Sequence, residues 1–462
     1  RTNTPRLRKY RKMILELLLS NHCRDCTTCE KNGKCKLQEL AQRFGIKQVR
    51  FSNTSEESDM DTSSLCISRD KSKCILCGDC VRMCEEVQNV GAIDFAFRGS
   101  KMCVSTAFDE PIANTKCVGC GQCAAICPTG AIVVKNDTAR LWKELSNKDT
   151  KVVVQIAPAV RVGIGKEFGL PEGENVMGRV VAALRRIGFD EVFDTSTAAD
   201  LTVLEETGEF LGRLQKGGVF PLITSCCPAW INFAEKHYPD ILPHLSSTRS
   251  PQAVVGKIAK TYLAEKRGFD PARMRVISIM PCTAKKEEAA RPVLGEHGVP
   301  DVDIVLTMRE LARLLRREGI DLKSLEPSAY DDPLMSEYSG AGAIFGTTGG
   351  VMEAAVRTMY YVVNGKELEH IEVSQLRGFE NVRSAHVNLG GQYGEIKVAM
   401  CHGLKGTREL VEAVLDGRAD FDFIEIMACP GGCVDGGGTL RSKKAYIPYA
   451  MKRRETIFNI DR

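Results

Sequence analysis

Two copies of one closely spaced cysteine pattern constrain the fold of this chain more than any other feature. The pattern is C-x2-C-x2-C-x3-C, and its copies are Cys74, Cys77, Cys80 and Cys84, then Cys117, Cys120, Cys123 and Cys127. Such runs hold paired [4Fe–4S] clusters, with the fourth cysteine of each run serving the other cluster. We therefore assign Cys74, Cys77, Cys80 and Cys127 to one cluster, and Cys117, Cys120, Cys123 and Cys84 to the second. Zinc is disfavoured because structural zinc sites usually separate their CxxC pairs more widely.

The rest of the composition is that of an ordinary globular protein. Of its 462 residues, 43% are hydrophobic and 26% charged, and the net charge is only +4, which gives no support for a nucleic-acid or membrane-surface partner. We find no apolar run long enough to span a bilayer and no signal-peptide pattern. We therefore expect a cytoplasmic protein whose twenty cysteines are mostly metal ligands rather than disulfides.

A further group of possible ligands precedes the repeats, with the spacing H-x3-C-x2-C-x5-C. It consists of His22, Cys26, Cys29 and Cys35. Spacing alone leaves zinc and an iron–sulfur cluster about equally favoured. The position just ahead of a two-cluster unit favours a third [4Fe–4S] cluster, whose neutral imidazole ligand would raise its reduction potential.

From residue 151 onward, short β-branched runs alternate with helical stretches. The runs predict strands at 152–156, 219–223, 276–279, 302–306, 396–399 and 423–426, and helices are expected at 177–187, 251–266 and 308–317. This alternation is typical of parallel sheets covered by helices, whose ligands bind at the carboxyl ends of strands. Three predicted strands end in cysteine-bearing segments, with Cys226 and Cys227, then Cys282, then Cys429 and Cys433. Four such thiolates could hold one buried cubane; buried structural cysteines are the alternative, which the neighbouring clusters disfavour.

Three segments resemble the signature segments of the [FeFe]-hydrogenases: TSCCP at 224–228, MPCTAKKEE at 280–288 and MACPGGCVDGGG at 427–438. The order of the preceding cysteine groups is also similar, and the resemblance covers nearly all of residues 10–440. It implies an α/β catalytic domain of two lobes, with parallel or mixed sheets flanked by helices around a buried cluster. A small His-Cys cluster domain and a two-cluster ferredoxin-like α+β module would precede it. The expected domains are 1–55, 56–140 and 148–462.

The resemblance also implies a reaction and a cofactor. The reaction is the reversible step 2 H⁺ + 2 e⁻ ⇌ H₂ at an H-cluster, a [4Fe–4S] cubane joined to a two-iron subcluster carrying CO, cyanide and an azadithiolate. By similarity, Cys227, Cys282, Cys429 and Cys433 hold the cubane, and Cys433 bridges to the two-iron subcluster.

Other residues receive roles from the same resemblance. Cys226 would pass protons to the bridging amine, supplied from solvent through Arg213, Glu209, Ser246 and Glu206, and Lys285 would donate a hydrogen bond to a cyanide ligand. Lys286 beside it is expected at the surface. The residues expected to line the two-iron pocket are Ala157, Pro158, Gln252, Met280, Pro281, Phe345 and Met427.

The electron partner follows less directly. We expect three accessory [4Fe–4S] clusters to pass electrons to or from a ferredoxin or an iron–sulfur subunit of a larger complex, including an electron-bifurcating complex linked to NAD or formate. Since the chain has no P-loop and no GxGxxG, another subunit would bind any nucleotide. The basic tail after Gly438 is expected to dock on such a partner or to form a solvated helix.

Three alternatives compete with this interpretation. An iron–sulfur subunit of respiratory NADH dehydrogenase would share the His-Cys region but not the three C-terminal segments. A non-enzymatic scaffold of cytosolic cluster assembly resembles hydrogenase without the full proton-relay set, and a hydrogen-sensing homologue would report H₂ rather than turn it over. The presence of Cys226, Lys285, Glu206, Glu209 and Ser246 favours catalysis. The four remaining cysteines, Cys23, Cys66, Cys103 and Cys401, are expected to be free thiols.

Overall fold

The computed structural model describes residues 2–54, 59–368, 377, 380–440 and 447–461, the side chains of 447–449 excepted. The chain forms two compact units, residues 1–117 with 121–135, and residues 118–120 with 136–462. The predicted boundary between a His-Cys domain and a ferredoxin-like module, at residues 55 and 56, lies outside the described residues. None of the described helices combines the length and apolar character needed to cross a bilayer.

The first unit is small and built from short elements. Its helices are α1 (Pro5–Ser20), α2 (Lys36–Arg43), α3 (Asp79–Arg82) and α4 (Gln122–Ile126), and its strands are β1 (Ile67–Arg69), β2 (Asp94–Ala96), β3 (Cys103–Ser105) and β4 (Ile132–Val134). Strand β1 pairs antiparallel with β4, and β2 with β3. Helix α1 begins at Pro5, after an N-cap Thr4 whose hydroxyl accepts the backbone N–H of Leu7, a combination that favours a helix start.

The second unit contains two four-stranded sheets. The first has the order β11 (Ile304–Thr307), β8 (Met274–Met280), β5 (Lys151–Ile156) and β6 (Glu191–Asp194), and all its strands are parallel. Helices cover both faces of such sheets, which explains why its strands read as nearly continuous apolar runs. The predicted strands at 152–156, 276–279 and 302–306 all fall in this sheet.

The second sheet is mixed. Its order is β12 (Val382–Gly390), β13 (Gly394–His402), β14 (Phe423–Met427) and β7 (Leu222–Ile223). Strand β12 is antiparallel to β13, whereas β13, β14 and β7 run parallel. Together the two sheets confirm the predicted α/β class with parallel and mixed sheets. A two-stranded hairpin, β9 (Gly295–Glu296) and β10 (Val299–Pro300), lies between β8 and β11 in the sequence.

Helices connect and cover these strands. They are α5 (Thr138–Leu145), α6 (Val160–Gly163), α7 (Met177–Ile187), α8 (Ser196–Lys216), α9 (Pro228–His237), α10 (Pro251–Ile258), α11 (Ala264–Arg267), α12 (Lys285–Ala289), α13 (Met308–Arg317), α14 (Gly340–Ile344), α15 (Gly350–Asn364), α16 (Leu404–Leu415) and α17 (Ile447–Ile460). The predicted helices at 177–187 and 308–317 match α7 and α13. The predicted helix at 251–266 is also present, as α10, a π-helical turn at Ala259–Leu263 and α11, which follow one another without a gap.

Helix α17 (Ile447–Ile460) of the basic tail buries one face, so it is not the freely solvated helix that is one of the two expectations. Ile457 is fully buried and Phe458 is 8% exposed. The buried guanidinium of Arg453 donates to the carbonyls of Val434 and Leu440 and to the carboxylate of Glu172. Hydrogen bonds from Arg453 therefore anchor the helix to the segment that follows β14. The positive charge of the tail gave no indication of this burial in the sequence.

We predict that Arg453→Ala destabilises the second unit strongly. The substitution leaves the buried Glu172 carboxylate (3% exposed) without its cation, and breaking a buried pair costs about 3–5 kcal/mol. The matched control is Lys452→Ala, at an exposed neighbouring position, which should change the free energy of unfolding by less than about 0.5 kcal/mol. Anaerobic denaturant titration, followed by the fluorescence of Trp142 and Trp230, measures both. Equal effects of the two variants would contradict the anchoring role.

Candidate active site

The carboxyl ends of strands from both sheets deliver the predicted site segments. Strand β5 ends at Ile156, directly before Ala157 and Pro158, and β8 ends at Met280, directly before Pro281 and Cys282. Strand β7 is followed within four residues by Cys226 and Cys227, and β14 is followed by Ala428 and Cys429. The two sheets therefore meet at their ligand-binding edges.

One buried cavity collects these segments. All five predicted cysteines line it, and so do all seven residues expected in the two-iron pocket and Lys285. The five thiols are Cys226, Cys227, Cys282, Cys429 and Cys433; the pocket residues are Ala157, Pro158, Gln252, Met280, Pro281, Phe345 and Met427.

Glycines of the last signature segment bring the cavity walls together. A Cβ atom at Gly432 would lie 2.6 Å from the backbone nitrogen of Thr348, and one at Gly436 would lie 2.3 Å from the carbonyl oxygen of Pro281. Both distances are far below van der Waals contact. These glycines therefore permit close contact of backbone with backbone, which joins the cysteine segments of the two sheets.

The donors in the cavity suit a cluster that carries negative charge. Burial raises the pKa of the Cys282 and Cys433 thiols well above the ordinary value, so an empty cavity would hold neutral thiols that only metal binding would deprotonate. Burial would lower the pKa of the Lys285 ammonium, but Glu288 outweighs that effect and the pKa is raised. A fixed cation thus lies beside four soft thiolate donors, a set that fits an iron–sulfur cluster.

Lys285 is held by three groups. Its Nζ donates to the Ser250 hydroxyl at 2.8 Å, to the Glu288 carboxylate at 2.9 and 3.0 Å, and to the Cys226 carbonyl at 3.2 Å. Gln252 donates to the same Glu288 at 2.9 Å, whereas its Oε1 is buried with no partner among the described residues. Sequence reasoning missed Ser250 and Glu288, although Glu288 lies in the signature segment three residues after Lys285.

Lys286 corrects another expectation. Its side chain is 3% exposed rather than at the surface, and its Nζ lies 2.5 Å from Asp137 and 2.9 Å from Glu310. Glu310 also closes the capping box that begins α13. The sequence alone does not show whether two adjacent lysines are both buried, because their burial depends on carboxylates that pair with them in the folded protein.

Three of the four residues of the expected proton path are hydrogen-bonded, since Arg213 and Ser246 both donate to Glu209, and Glu206 lies close to them. Arg213 donates to Glu209 at 2.7 Å, and the Ser246 hydroxyl donates to the other oxygen of Glu209 at 3.0 Å. Glu206, one turn before Glu209 on α8, is fully buried, and neither of its carboxylate oxygens has a partner at hydrogen-bond geometry among the described residues.

The environment of Glu206 favours its protonated form. Burial raises its pKa to about 7, although Ser246 and the backbone of Ser225 oppose that rise. Glu209 and Cys226 both lie close enough to Glu206 for their charges to interact with it. The arrangement leads from the partly exposed Arg213 and Glu209 (each 17% exposed) to the buried thiol of Cys226.

The first unit assembles a second group of cysteines. Cys74, Cys77, Cys80 and Cys127 line one pocket. Burial raises the pKa of Cys80 to about 12. Cys84, Cys117 and Cys123 pack against the hydrophobic core of the same unit, whereas Cys120 belongs to the second unit.

The N-terminal group also lies within the first unit. Burial raises the pKa of Cys26, with further contributions from the nearby Cys29 and Cys35. His22 is 8% exposed; its Nδ1 accepts the backbone N–H of Arg24, and its Nε2 is buried without a partner among the described residues. Of the four cysteines without an assigned cluster, Cys66 and Cys401 are buried, Cys103 is half-buried and Cys23 is exposed.

His402 supports the cavity in a way that the sequence did not indicate. It follows Cys401 at the end of β13 and is 4% exposed. Its Nδ1 accepts the backbone N–H of Gly431 at 3.1 Å. The imidazole thus holds the turn between Cys429 and Cys433. The only available signal was a histidine at a predicted strand end, which is too common to interpret.

Comparisons with protein families agree with this geometry. Residues 150–437 match the family described as iron only hydrogenase large subunit, C-terminal domain. Residues 11–50 match the iron–sulfur binding region of NADH-ubiquinone oxidoreductase-G, and residues 73–138 match a 4Fe-4S dicluster domain.

Relatives extend the match over almost the whole chain. The NADP-reducing hydrogenase subunit HndD of Solidesulfovibrio fructosivorans is 45% identical over 95% of this chain and 75% of its own length. Iron hydrogenase 1 of Clostridium pasteurianum is 37% identical over 95% of this chain and 76% of its own length. The cytosolic iron–sulfur assembly component 3 of Pongo abelii is 33% identical over 67% of each chain.

A solved structure shares the fold of the catalytic unit. A variant of the [FeFe]-hydrogenase HydA1 from Chlamydomonas reinhardtii is 36% identical with a TM-score of 0.62, over 71% of this chain and 90% of that one. The matching family spans more than half of the chain, and the relatives that cover nearly all of it are hydrogenases. The chain therefore belongs to the iron-only, or [FeFe]-, hydrogenases, with iron–sulfur domains ahead of the catalytic unit.

Proposed function

We propose that this hydrogenase interconverts protons and H₂ at an H-cluster in the five-thiol cavity, with Cys226 as the last proton carrier. One observation carries the proposal: a fifth thiol, surplus to the four needed for a cubane, lies where a chain of carboxylates and a hydroxyl reaches the cavity. A purely structural cluster would need neither the fifth thiol nor the buried acid beside it.

The residues present fit the group that the family implies. Cys227, Cys282, Cys429 and Cys433 would hold the cubane, and Cys433 would also bridge to the two-iron subcluster. When bound, this group supplies the redox chemistry by which two protons and two electrons become H₂. Lys285 would present its ammonium to anionic cyanide, and the unpartnered Gln252 Oε1 would gain a polar neighbour.

The protein's own share of the chemistry is proton delivery. A proton arriving at Glu209 beside Arg213 passes through the Ser246 hydroxyl, which can accept one proton while donating another. Glu206 holds it next, because its pKa of about 7 lets the carboxyl both take and release a proton near neutral pH. Cys226 then carries the proton into the cavity, whose apolar lining by Ala157, Pro158, Met280, Phe345 and Met427 limits the access of water.

Electrons would reach the site through three accessory [4Fe–4S] clusters. Their ligands are the His22 group and the two C-x2-C-x2-C-x3-C runs, and the soft donors grouped in the first unit support this assignment. The partner would be an iron–sulfur subunit of a larger complex or a ferredoxin. The 45% identity to a subunit of an NADP-reducing hydrogenase supports a complex in which another chain binds the nicotinamide nucleotide.

A scaffold function in cluster assembly is less well supported. The assembly component matches a smaller part of the chain at lower identity than the hydrogenases do. A hydrogen-sensing role would use the same cavity, and an intact path through Glu209, Ser246 and Glu206 favours turnover over sensing.

We predict infrared bands of iron-bound CO and cyanide in the full chain after it is loaded with the two-iron subcluster. The loaded chain should reduce methyl viologen under H₂, but NADP⁺ only after its partner subunits are added. A preparation that accepts the subcluster precursor yet contains only cubane signals would reject the enzymatic proposal. NADP⁺ reduction by the chain alone would reject the separate nucleotide-binding subunit.

We predict that Cys226→Ala leaves the H-cluster bands in place while H₂ turnover falls by at least about 100-fold, the usual scale of losing a general acid–base group. The matched control is Cys401→Ala, which removes a buried thiol outside the cavity and should leave turnover largely unchanged. Retained turnover in the Cys226 variant would reject the proton-carrier role.

We predict that Glu206 makes the protein less stable as pH rises from about 4.5 to about 7. Burial raises its folded pKa to about 7, so in this window the folded state keeps a proton that the unfolded state has released. The stability supplied by that proton is complete below pH 4.5 and is lost as pH passes the folded pKa.

The test compares Glu206→Gln with Glu205→Gln, an exposed neighbour on the same helix. Glu206→Gln should remove up to about 3 kcal/mol of the pH-dependent loss in the free energy of unfolding, whereas Glu205→Gln should keep the wild-type slope. Burial also raises the pKa of Glu425 to about 7. Because Glu425 is present in both variants, it contributes the same pH dependence of the free energy of unfolding to each. Identical slopes in the two variants would refute the assignment.

A further inference from the structure

The loop at residues 118–120, which includes Cys120, is part of the second compact unit. Cys120 belongs to the second C-x2-C-x2-C-x3-C run, yet it packs with the catalytic unit, whereas residues 117 and 121 belong to the first unit. Val118 is only 1% exposed. Gly119 has a φ of +68°, a conformation that glycine adopts without strain.

Thr283, the residue directly after Cys282, is hydrogen-bonded to this loop. Its side chain is fully buried, and its hydroxyl donates to the carbonyl oxygen of Gly119 at 2.6 Å. The Gly119 carbonyl is bonded directly to the backbone nitrogen of Cys120. The hydrogen bond therefore links Gly119 to Thr283. Gly119 directly precedes the proposed ligand Cys120, and Thr283 directly follows the proposed ligand Cys282.

Asn232 holds the same loop from a different direction. It lies on α9, the helix that begins directly after Cys227, and is 2% exposed. Its Nδ2 donates to the Val118 carbonyl at 3.1 Å and to Glu287 at 3.0 Å, while its Oδ1 accepts from Arg291 at 2.8 Å. These partners fix the orientation of the amide. The Val118 carbonyl, unlike that of Gly119, is not bonded to Cys120.

We propose that Thr283 is a positioning residue for electron transfer, and that its hydrogen bond to Gly119 bridges the cluster at Cys120 and the cubane at Cys282. Tunnelling electrons pass more readily through bonds and hydrogen bonds than across empty space. The path from the Cys120 sulfur to the Cys282 sulfur passes through the covalent bonds of Cys120, Gly119, Thr283 and Cys282, and it crosses only one hydrogen bond. The inference rests on the proposed function, because it uses both cluster assignments.

The step transfers one electron and no proton. The cluster at Cys120 is oxidised by one electron as the cubane at Cys282 is reduced by one, or the reverse during H₂ oxidation. The Thr283 hydroxyl keeps its proton throughout, because the amide carbonyl is too weak a base to take it. Two such transfers match the two electrons of the reaction.

The experiment uses the full chain loaded with all its clusters. A flash-excited dye too large for the cavity reduces the accessory clusters, and the infrared bands of iron-bound CO then report when each electron reaches the catalytic site. Thr283→Val preserves the shape of the side chain and removes the donor. We expect it to slow this arrival by at least about tenfold, a smaller effect than the roughly 100-fold that a 1 Å misplacement of reacting groups can cost.

Three comparisons separate a bridge from a merely structural contact. Thr283→Ser, which keeps the hydroxyl, should restore most of the rate. Asn232→Ala, which loosens the loop but leaves the bridge, should slow the transfer less than Thr283→Val does. The midpoint potentials of the clusters, followed by electron paramagnetic resonance, should stay the same in Thr283→Val and Thr283→Ser.

Several outcomes would overturn the inference. An unchanged transfer rate in Thr283→Val rejects the bridge, and equal slowing by Thr283→Val and Asn232→Ala reduces Thr283 to an anchor of the loop. If Thr283→Val does not load its clusters, Thr283→Cys keeps a weaker donor of similar volume and should give an intermediate rate; a wild-type rate there rejects the bridge. Absence of CO bands in the unsubstituted chain would instead count against the proposed function.

Discussion

The structure depends on removing a group of ionisable side chains from water at one point. Five thiols, the Glu206 carboxyl and the Lys285 ammonium surround or border a cavity at the ends of strands from two sheets. Burial raises the pKa of the thiols of Cys226, Cys227, Cys282 and Cys433, which favours their neutral form until metal binds, and it raises the pKa of Glu206 to about 7. The same desolvation makes Lys285 depend on Ser250 and Glu288, because an unpaired buried charge would be prohibitively unstable.

Much of the surrounding architecture serves this one constraint. Close backbone contacts at Gly432 and Gly436 join the cysteine segments of the two lobes. His402 holds the turn between Cys429 and Cys433, and Arg453 fastens the C-terminal helix to the same region. None of these residues has a role in the chemistry. They position cysteines that arrive from distant parts of the sequence.

In our proposal, protons and electrons reach the cavity through different signature segments. The carboxylates of α8 lead to Cys226, whereas Thr283, next to Cys282, contacts the loop that carries Cys120. The segments 224–228 and 280–288 therefore each have two roles in our proposal. Each contributes a cluster ligand, and the first also receives protons whereas the second receives electrons.

The sequence by itself determined the cysteine groups, the α/β class and the family. Cysteine spacing within one loop is a local property, and the strand-end cysteines could be recognised because periodicity marks where each strand stops. It also indicated the seven pocket residues, through the resemblance. The sequence could not determine which charges are buried: Lys286, expected at the surface, pairs with Asp137 and Glu310, and the basic tail is a packed helix. Only the tertiary structure decided these, and with them His402 and Thr283, because each acts through a partner that is distant in sequence.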